Sequence, residues 1–233
     1  MNQAAQSSTI VLLIRHGQTP TTGQVLPGRT RGLHLSEQGK IQAQEVAARM
    51  DGLKLDAVYS SPMERAQETA APTVAAHHEQ LLVDAALNEC DFGAWTGRKL
   101  SELNKLQEWK EVQDSPSTFR FPDGESFSEM QDRVVEAVST IAQRHPSGII
   151  AAFSHADTIK AAVAFFMGTP LDSFQKIHID TASISAVEFT KEGPRMLVTN
   201  SRTGTLSYLR PALSNRDSAG SAGSAGETED SQS

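Results

Sequence analysis

Short apolar runs alternate with segments of helical periodicity along most of the chain. The runs that predict strands are Thr9–Ile14, Ala57–Ser60, Leu81–Val83, Ile149–Phe153, Ile184–Phe189 and Met196–Asn200. Helical spacing of apolar residues follows Ser36, Pro62 and His155, and Gly168 is placed to end the last of these helices. Pro72 is expected to kink or restart the second helix. Because strands that alternate with helices need crossover connections, the pattern predicts an α/β fold, a three-layer α/β/α sandwich with a mostly parallel central sheet.

The strand pattern is absent between Cys90 and Ser147. Two helical patterns, Lys99–Val112 and Ser126–Arg144, occupy this stretch, and we expect them to form a small helical cap insertion at about residues 90–147. From Ser214 onward the chain is polar, acidic and of low complexity, so it has too little apolar surface to bury and order itself. The sequence therefore predicts one α/β domain over residues 1–213 and a disordered tail over residues 214–233.

Charge and cysteine content narrow the classes of protein. The formal net charge of −7 and the absence of a Lys/Arg-rich block argue against a nucleic-acid partner. The single cysteine, Cys90, excludes a disulfide within the chain and fits a reducing compartment. The N-terminus lacks the features of a signal peptide, and no apolar run approaches the roughly 20 residues that span a bilayer. We expect a soluble cytoplasmic protein without a membrane partner, and the sequence gives no indication of its oligomeric state.

Polar groups stand directly after the first four predicted strands. They are Arg15, His16 and Gly17, then Ser60, Ser61 and Arg65, then Glu89, and then Ser154, His155 and Asp157. In an open α/β sheet, ligands bind outside the carboxyl ends of the strands. We therefore expect these four groups to converge on one site, although they are far apart in the chain.

The residue types in this set suit phosphoryl transfer. Guanidinium groups and helix N-termini bind phosphate oxygens, a neutral imidazole is a competent nucleophile, and a glutamate can donate and later accept a proton. Such a set supplies positioning and positive charge without a metal or cofactor. Taken singly, each has an ordinary alternative, since a lone histidine is usually a surface or core group and arginines often form structural ion pairs.

Other histidines and the tryptophans have no such context. His34, His77, His78, His145 and His178 are expected to be structural or exposed. The adjacent pair His77–His78 has no further ligands at metal-like spacing, so we predict no metal site. Trp95 and Trp109 are expected to pack in the core or the cap.

Five segments resemble the histidine phosphatase superfamily, which includes cofactor-dependent phosphoglycerate mutase. They are LIRHGQT at Leu13–Thr19, LSEQGKIQA at Leu35–Ala43, YSSPMERAQETA at Tyr59–Ala70, LNECDFGAWTG at Leu87–Gly97 and FSHADTIKA at Phe153–Ala161. An isolated RHG motif is weak evidence for this family. Five motifs in the family's order and approximate spacing are strong evidence for it.

The resemblance implies a role for each matching residue. His16 would be the phosphorylated nucleophile, and Arg15 and Arg65 would bind the phosphoryl oxygens. Glu89 would be the general acid and base, and His155 would stabilise charge in the transition state. The stretch from Cys90 to Ser147 would form the cap over the substrate.

The chain departs from the family pattern at several positions. Thr22 stands where many members have a phosphate-binding asparagine, and we expect its hydroxyl to supply one hydrogen bond to phosphate. Gln18 replaces a glutamate common in mutases, and Ala156 and Asp157 replace frequent glycines.

The resulting hypothesis is a phosphatase that acts on small phosphorylated metabolites through a phosphohistidine on His16. A phosphomutase that uses the same residues is the alternative, and a catalytically inactive binding module is the alternative from another class. The short insertion favours hydrolysis. In the loop Gly23–His34, Arg29 and Arg31 either meet a second anionic group of the substrate or are exposed to solvent.

Overall fold

One mixed sheet organises the structure, a computed structural model that describes residues 8–209. Its strands are β1 Thr9–Arg15, β2 Ala57–Ser60, β3 Leu81–Val83, β4 Ile149–Ser154, β5 Ile184–Thr190 and β6 Gly193–Ser201. They lie in the order β3-β2-β4-β1-β5-β6. β1 to β4 are mutually parallel, while β5 and β6 form an antiparallel edge. The predicted strands and the mostly parallel sheet are confirmed.

Helices cover both faces of the sheet. They are α1 Glu37–Arg49, α2 Glu64–His77, α3 Leu100–Leu103, α4 Gln107–Asp114, α5 Phe127–Arg144 and α6 Ala156–Phe166. Alternate residues of β1 separate the two cores: Ile10 and Leu12 pack with α1 and α2, whereas Val11 and Leu13 pack with α5 and α6. This alternation follows from the two-residue period of a strand. It gives the predicted three-layer α/β/α sandwich.

The stretch predicted as a cap insertion divides into two parts. Val134, Val138 and Ile141 of α5 belong to the core beneath the sheet, so this helix forms part of a sandwich layer. Its start is fixed by a capping box between Ser126 and Glu129. The residues between Cys90 and α5 form a separate aromatic cluster, and they are the part that lies over the site. Residues 214–233, the predicted tail, lie outside the described residues.

The helical pattern over Lys99–Val112 is two helices rather than one. Leu103 and Val112 are both buried in the cap cluster. In one continuous helix these residues, about two and a half turns apart, would point in opposite directions. The break between α3 and α4 lets both side chains enter the same core.

The prediction that Pro72 kinks or restarts its helix was wrong about the restart. α2 continues to His77 with Pro72 inside it. Ala66, Ala70 and Thr73 are buried on both sides of the proline, and this packing outweighs the missing backbone N–H. Within residues 8–209 no helix is long and apolar enough to cross a membrane.

Candidate active site

The carboxyl ends of β1 and β4 bring two histidines together. Arg15 pairs in register with Ser154, so His16 and His155 follow neighbouring parallel strands. The backbone N–H of His16 donates to the Ser154 carbonyl oxygen at 3.0 Å, and the two imidazole centroids lie 5.2 Å apart. Arg65 of α2 reaches the same point. The predicted convergence of strand ends is what the fold produces here.

A cavity of about 470 Å³ opens beside these groups. Arg15, His16, Thr22 and Glu89 line it, together with residues of the cap and of α6. Arg65 and His155 are fully buried next to His16. The structure thus places all six residues predicted for the site in one region, although their separations in sequence reach 140 residues from Arg15 to His155.

The His16 ring is held in one orientation. Its Nδ1 lies 2.7 Å from the Gly17 carbonyl oxygen, so Nδ1 carries the proton and donates it. Nε2 then has a free electron pair and accepts from Nε of Arg65 at 3.3 Å. Burial and the charges of Arg65 and Arg15 hold the pKa of His16 well below its ordinary value. The result is a neutral imidazole whose unprotonated atom is Nε2.

Gly17 fixes the loop that carries His16. A Cβ at this position would lie 2.6 Å from the Gly39 carbonyl oxygen, so only glycine allows this approach of α1. The Gly17 N–H also donates to Thr69 Oγ1 of α2 at 2.9 Å. The RHG motif therefore joins β1 to α1 and α2 with little freedom of movement.

Two buried guanidinium groups carry unused donors. Arg15 Nη1 donates to the Ile179 carbonyl oxygen at 2.7 Å, and Arg65 Nη2 donates to the Gly28 carbonyl oxygen at 2.7 Å. The Nε of Arg15 and the Nη1 of Arg65 are buried without a hydrogen-bond partner among the described residues. Buried donors without partners are rare, and in cationic groups they favour an anionic ligand. The predicted contact of both arginines with a phosphoryl group stays a prediction.

His155 has the opposite ring orientation. The Ser61 hydroxyl donates to Asn88 Oδ1 at 3.0 Å, so its oxygen accepts from His155 Nε2 at 2.8 Å. Nδ1 of His155 is buried without a partner within the described part of the chain. Burial, Arg65, His16 and Arg15 together lower the pKa of His155 well below its ordinary value. A phosphate dianion beside Nδ1 reverses this balance and favours a proton on that atom.

Glu89 is a buried carboxyl group beside cations. Its Oε1 accepts from the Cys90 N–H at 3.0 Å and lies 3.1 Å from the Thr158 hydroxyl. Burial, with a contribution from Asp157, raises the pKa of Glu89 even though the two arginines oppose this. A raised pKa keeps the carboxyl protonated at higher pH than usual, which a general acid requires.

Glu89→Gln should gain thermal stability relative to wild type as the pH rises. The folded-state pKa of Glu89 lies above that of an unfolded glutamate, about 4.3, so the folded protein binds more protons between those values. Wild type therefore loses stability as the pH rises through this window, and the variant does not. The measurement is the difference in Tm across the pH range. Glu102→Gln, exposed on α3, is the control, and an equally flat difference for both variants would contradict the desolvated carboxyl.

An ion-pair network that the sequence did not predict holds the backbone around Glu89. The Glu125 carboxylate accepts from Arg29 Nη2 at 3.1 Å and from Arg133 Nη2 at 2.7 Å. Arg29 Nε in turn donates to the Glu89 carbonyl oxygen at 3.0 Å, and Arg133 Nη1 donates to the Asn88 carbonyl oxygen at 3.0 Å. One carboxylate and two arginines thereby fix the segment that carries the general acid candidate.

The two interpretations left open for Arg29 and Arg31 are therefore answered differently. Arg29 is half-buried and committed to carboxylates and to the Glu89 backbone, so it is neither exposed nor available to a substrate anion. Arg31 is exposed.

The Thr22 hydroxyl oxygen accepts from the Thr19 N–H at 2.8 Å. Its hydrogen bond to phosphate stays a prediction.

Lys160 and His178 line the cavity, and sequence reasoning assigned neither of them to the site. Lys160 pairs with Asp157 at 3.0 Å, one turn earlier on α6, a spacing that was visible in the sequence. His178 lies 3.0 Å from Asp180 and is exposed, as expected, but at the edge of the cavity. Across residues 8–209, no three His, Cys, Asp or Glu side chains cluster as metal ligands would.

This chain is similar in sequence or in structure to known phosphatases and to a phosphoglycerate mutase. Phosphoserine phosphatase 1 of Hydrogenobacter thermophilus is 28% identical over 182 residues, 76% of this chain and 85% of that protein. A 2,3-bisphosphoglycerate-dependent phosphoglycerate mutase of Thermoplasma acidophilum is 27% identical over 190 residues, 77% of this chain and 86% of that one. A solved histidine-to-alanine mutant of Entamoeba histolytica phosphoserine phosphatase, in complex with phosphoserine, superposes with a TM-score of 0.76 at 26% identity. The superposition covers 84% of this chain and 98% of the Entamoeba histolytica chain.

The family model for the histidine phosphatase superfamily (branch 1) matches residues 11–202. The match begins within β1 and ends one residue after β6. It therefore includes all six residues predicted for the site. The chain therefore belongs to the histidine phosphatase superfamily.

Proposed function

We propose that this enzyme hydrolyses phosphomonoesters of small metabolites through a phosphohistidine on Nε2 of His16. The observation that carries the proposal is the 2.7 Å hydrogen bond from His16 Nδ1 to the Gly17 carbonyl oxygen. It leaves Nε2 unprotonated in a pocket where burial, Arg65 and Arg15 hold the pKa of His16 well below its ordinary value. An oriented neutral imidazole beside two guanidinium groups supports nucleophilic attack on phosphorus.

In the first step the Nε2 electron pair forms a bond to phosphorus as the ester P–O bond breaks. Glu89 gives its proton to the departing oxygen, so the leaving group departs as a neutral alcohol. Arg15, Arg65 and a protonated His155 stabilise the charge on the transferred phosphoryl oxygens. The Nε–H of Arg15 and the Nη1–H of Arg65, buried without partners among the described residues, provide two donors, and a proton on Nδ1 of His155 provides the third.

In the second step Glu89 acts as a base. Its carboxylate takes a proton from water, the water oxygen bonds to phosphorus, and the P–N bond breaks to release orthophosphate. His16 regains its electron pair, and Glu89 is again protonated. The cycle thus needs no group beyond the residues of the site and a water molecule.

The mutase alternative requires a second anion-binding group in the cavity. A mutase holds a second phosphoryl group on the same substrate, away from His16. The basic side chains that line the rest of the cavity are Lys160 and His178, and both pair with carboxylates. This pairing favours hydrolysis over phosphoryl return. The presence of all five residues that match the family's catalytic motifs favours an enzyme over an inactive binding module.

Incubation with 3-phosphoglycerate and a trace of 2,3-bisphosphoglycerate separates the two activities. A phosphatase releases orthophosphate and glycerate, and forms no 2-phosphoglycerate. We expect only the first products by ³¹P NMR. Accumulation of 2-phosphoglycerate faster than orthophosphate would instead identify a mutase.

Activity should survive excess EDTA. The positive charge in the site comes from arginines and histidines, so removal of divalent metal leaves the electrostatic stabilisation in place. The measurement is kcat/KM before and after exhaustive treatment with EDTA. A loss of more than about tenfold that Mg²⁺ restores would show that the charge was assigned to the wrong groups.

A further inference from the structure

The wall of the catalytic cavity that the cap forms is apolar. Contributions come from the loop after β1, from α3 and α4, and from the aromatic cluster, including Leu26, Phe92, Leu100, Trp109 and Phe121. The indole of Trp109 stacks on that of Trp95 with centroids 6.2 Å apart and planes 27° apart. Trp95 is itself buried against Phe119 and Phe121. Trp109 therefore presents a supported aromatic surface, and ordered apolar walls bind apolar groups.

The other charged residues of the cavity are paired with carboxylates or with one another. Apart from Arg15, His16 and Glu89, the ionisable residues that line the cavity are Asp157, Lys160 and His178. Lys160 Nζ lies 3.0 Å from Asp157 Oδ1 and 3.2 Å from Gln175 Oε1. A substrate carboxylate that attracted Lys160 would leave the carboxylate of Asp157 without its cation, and this cost offsets the gain.

We propose that the preferred substrate is a phosphomonoester whose alcohol is apolar and bulky, rather than one with a second anionic group. This inference rests on the proposed function and specifies its substrate class. The phosphoryl group occupies the end formed by Arg15, His16 and Arg65, and the alcohol extends along the apolar wall toward Trp109. At about 30 Å³ for each water-sized group, a cavity of about 470 Å³ has room for more than a three-carbon alcohol.

A series of esters with the same CH₂–O–P linkage tests the substrate class. The series consists of 2-phenylethyl phosphate, glycerol 1-phosphate, O-phosphoserine and 3-phosphoglycerate. Each releases a primary alcohol, so each needs similar protonation of the leaving oxygen by Glu89. We expect kcat/KM for 2-phenylethyl phosphate to exceed each of the other three by at least about tenfold. Equal or higher values for O-phosphoserine or 3-phosphoglycerate would overturn the proposal, because an anionic alcohol would then be the better ligand.

Two variants locate the preference on the cavity walls. Trp109→Ala should reduce kcat/KM for 2-phenylethyl phosphate about tenfold, and for glycerol 1-phosphate by a smaller factor. Lys160→Met should not lower kcat/KM for 3-phosphoglycerate more than it lowers kcat/KM for 2-phenylethyl phosphate. A selective loss with Lys160→Met would identify Lys160 as the site for a second anion and contradict the proposal. The substrate series decides even when a variant fails to fold.

Binding to a catalytically inactive protein separates substrate class from chemistry. Calorimetry on His16→Ala should give tighter binding of 2-phenylethyl phosphate than of 3-phosphoglycerate. If no ester is hydrolysed but this order of affinity holds, the proposed function fails and the substrate class stands. If 3-phosphoglycerate binds more tightly, the substrate class fails whatever the rates are.

Discussion

His16→Ala should reduce turnover by at least about a thousandfold for every phosphomonoester. The variant lacks the Nε2 electron pair that attacks phosphorus. Glu89 and water can then act in neither step, because no other described side chain is positioned to receive the phosphoryl group. Folding should be retained, because His16 stands at the end of β1 and contributes its hydrogen bonds to Gly17 and Arg65 rather than to the apolar core. The measurement is steady-state kcat, with circular dichroism to verify the fold.

His77→Ala, at the last position of α2 and away from the cavity, is the matched control. Its activity should equal that of wild type. If His16→Ala keeps more than about a hundredth of the wild-type rate while its fold is intact, His16 is not the nucleophile.

Glu89→Gln should separate the two proton transfers. The leaving group of p-nitrophenyl phosphate is a phenolate whose conjugate acid has a pKa of about 7, so it needs little protonation. The leaving group of an alkyl phosphate is an alkoxide whose conjugate acid has a pKa of roughly 15, so its departure depends on the acid. The glutamine keeps the acceptor oxygen for the Cys90 N–H but has no transferable proton. We expect a far larger loss of first-step rate with an alkyl phosphate than with p-nitrophenyl phosphate.

With p-nitrophenyl phosphate the same variant should release one burst of nitrophenol and then stall. The missing base now limits attack of water on the phosphohistidine, so the phosphoenzyme accumulates. Stopped-flow absorbance measures the burst, and Glu102→Gln, exposed on α3, should behave as wild type. Equal losses for both leaving groups without a burst would show that Glu89 supports the pocket and transfers no proton.

The centre of the sheet could be predicted because β1, β2 and β4 are short, apolar and buried. β2 and β3 have the predicted bounds, and β1 and β4 each extend one residue further than predicted. Parallel strands end at the same edge, so the meeting of His16 and His155 followed from topology alone.

Features that depend on long-range packing were not predictable in the same way. The break between α3 and α4 serves a cap core that forms only when the chain is folded. Pro72 remains inside α2 because packing on both sides of it compensates for the lost hydrogen bond. Glu125 lies 36 residues from Glu89 in the sequence, and nothing in its local pattern marks the carboxylate that ties two arginines to that segment.

The substrate side of the site is the part where residue types alone misled. Arg29 lies in a loop beside the site, where its residue type left open both an anion-binding group and an exposed side chain, yet its guanidinium is bound to Asp91 and Glu125. Trp109 suggested simple packing, yet it both stacks on Trp95 and lines the cavity. In both residues the role depends on which partner the folded chain supplies.

The identity of the phosphorylated atom tests the mechanism most directly. Wild type mixed with a ³²P-labelled phosphomonoester and quenched in denaturant should carry an acid-labile, base-stable label. Peptide mapping at alkaline pH should place that label on His16, and His16→Ala should carry none. The label should approach one per chain in Glu89→Gln with an aryl phosphate. Absence of label in Glu89→Gln, or an acid-stable label on another residue, would contradict a phosphohistidine on His16.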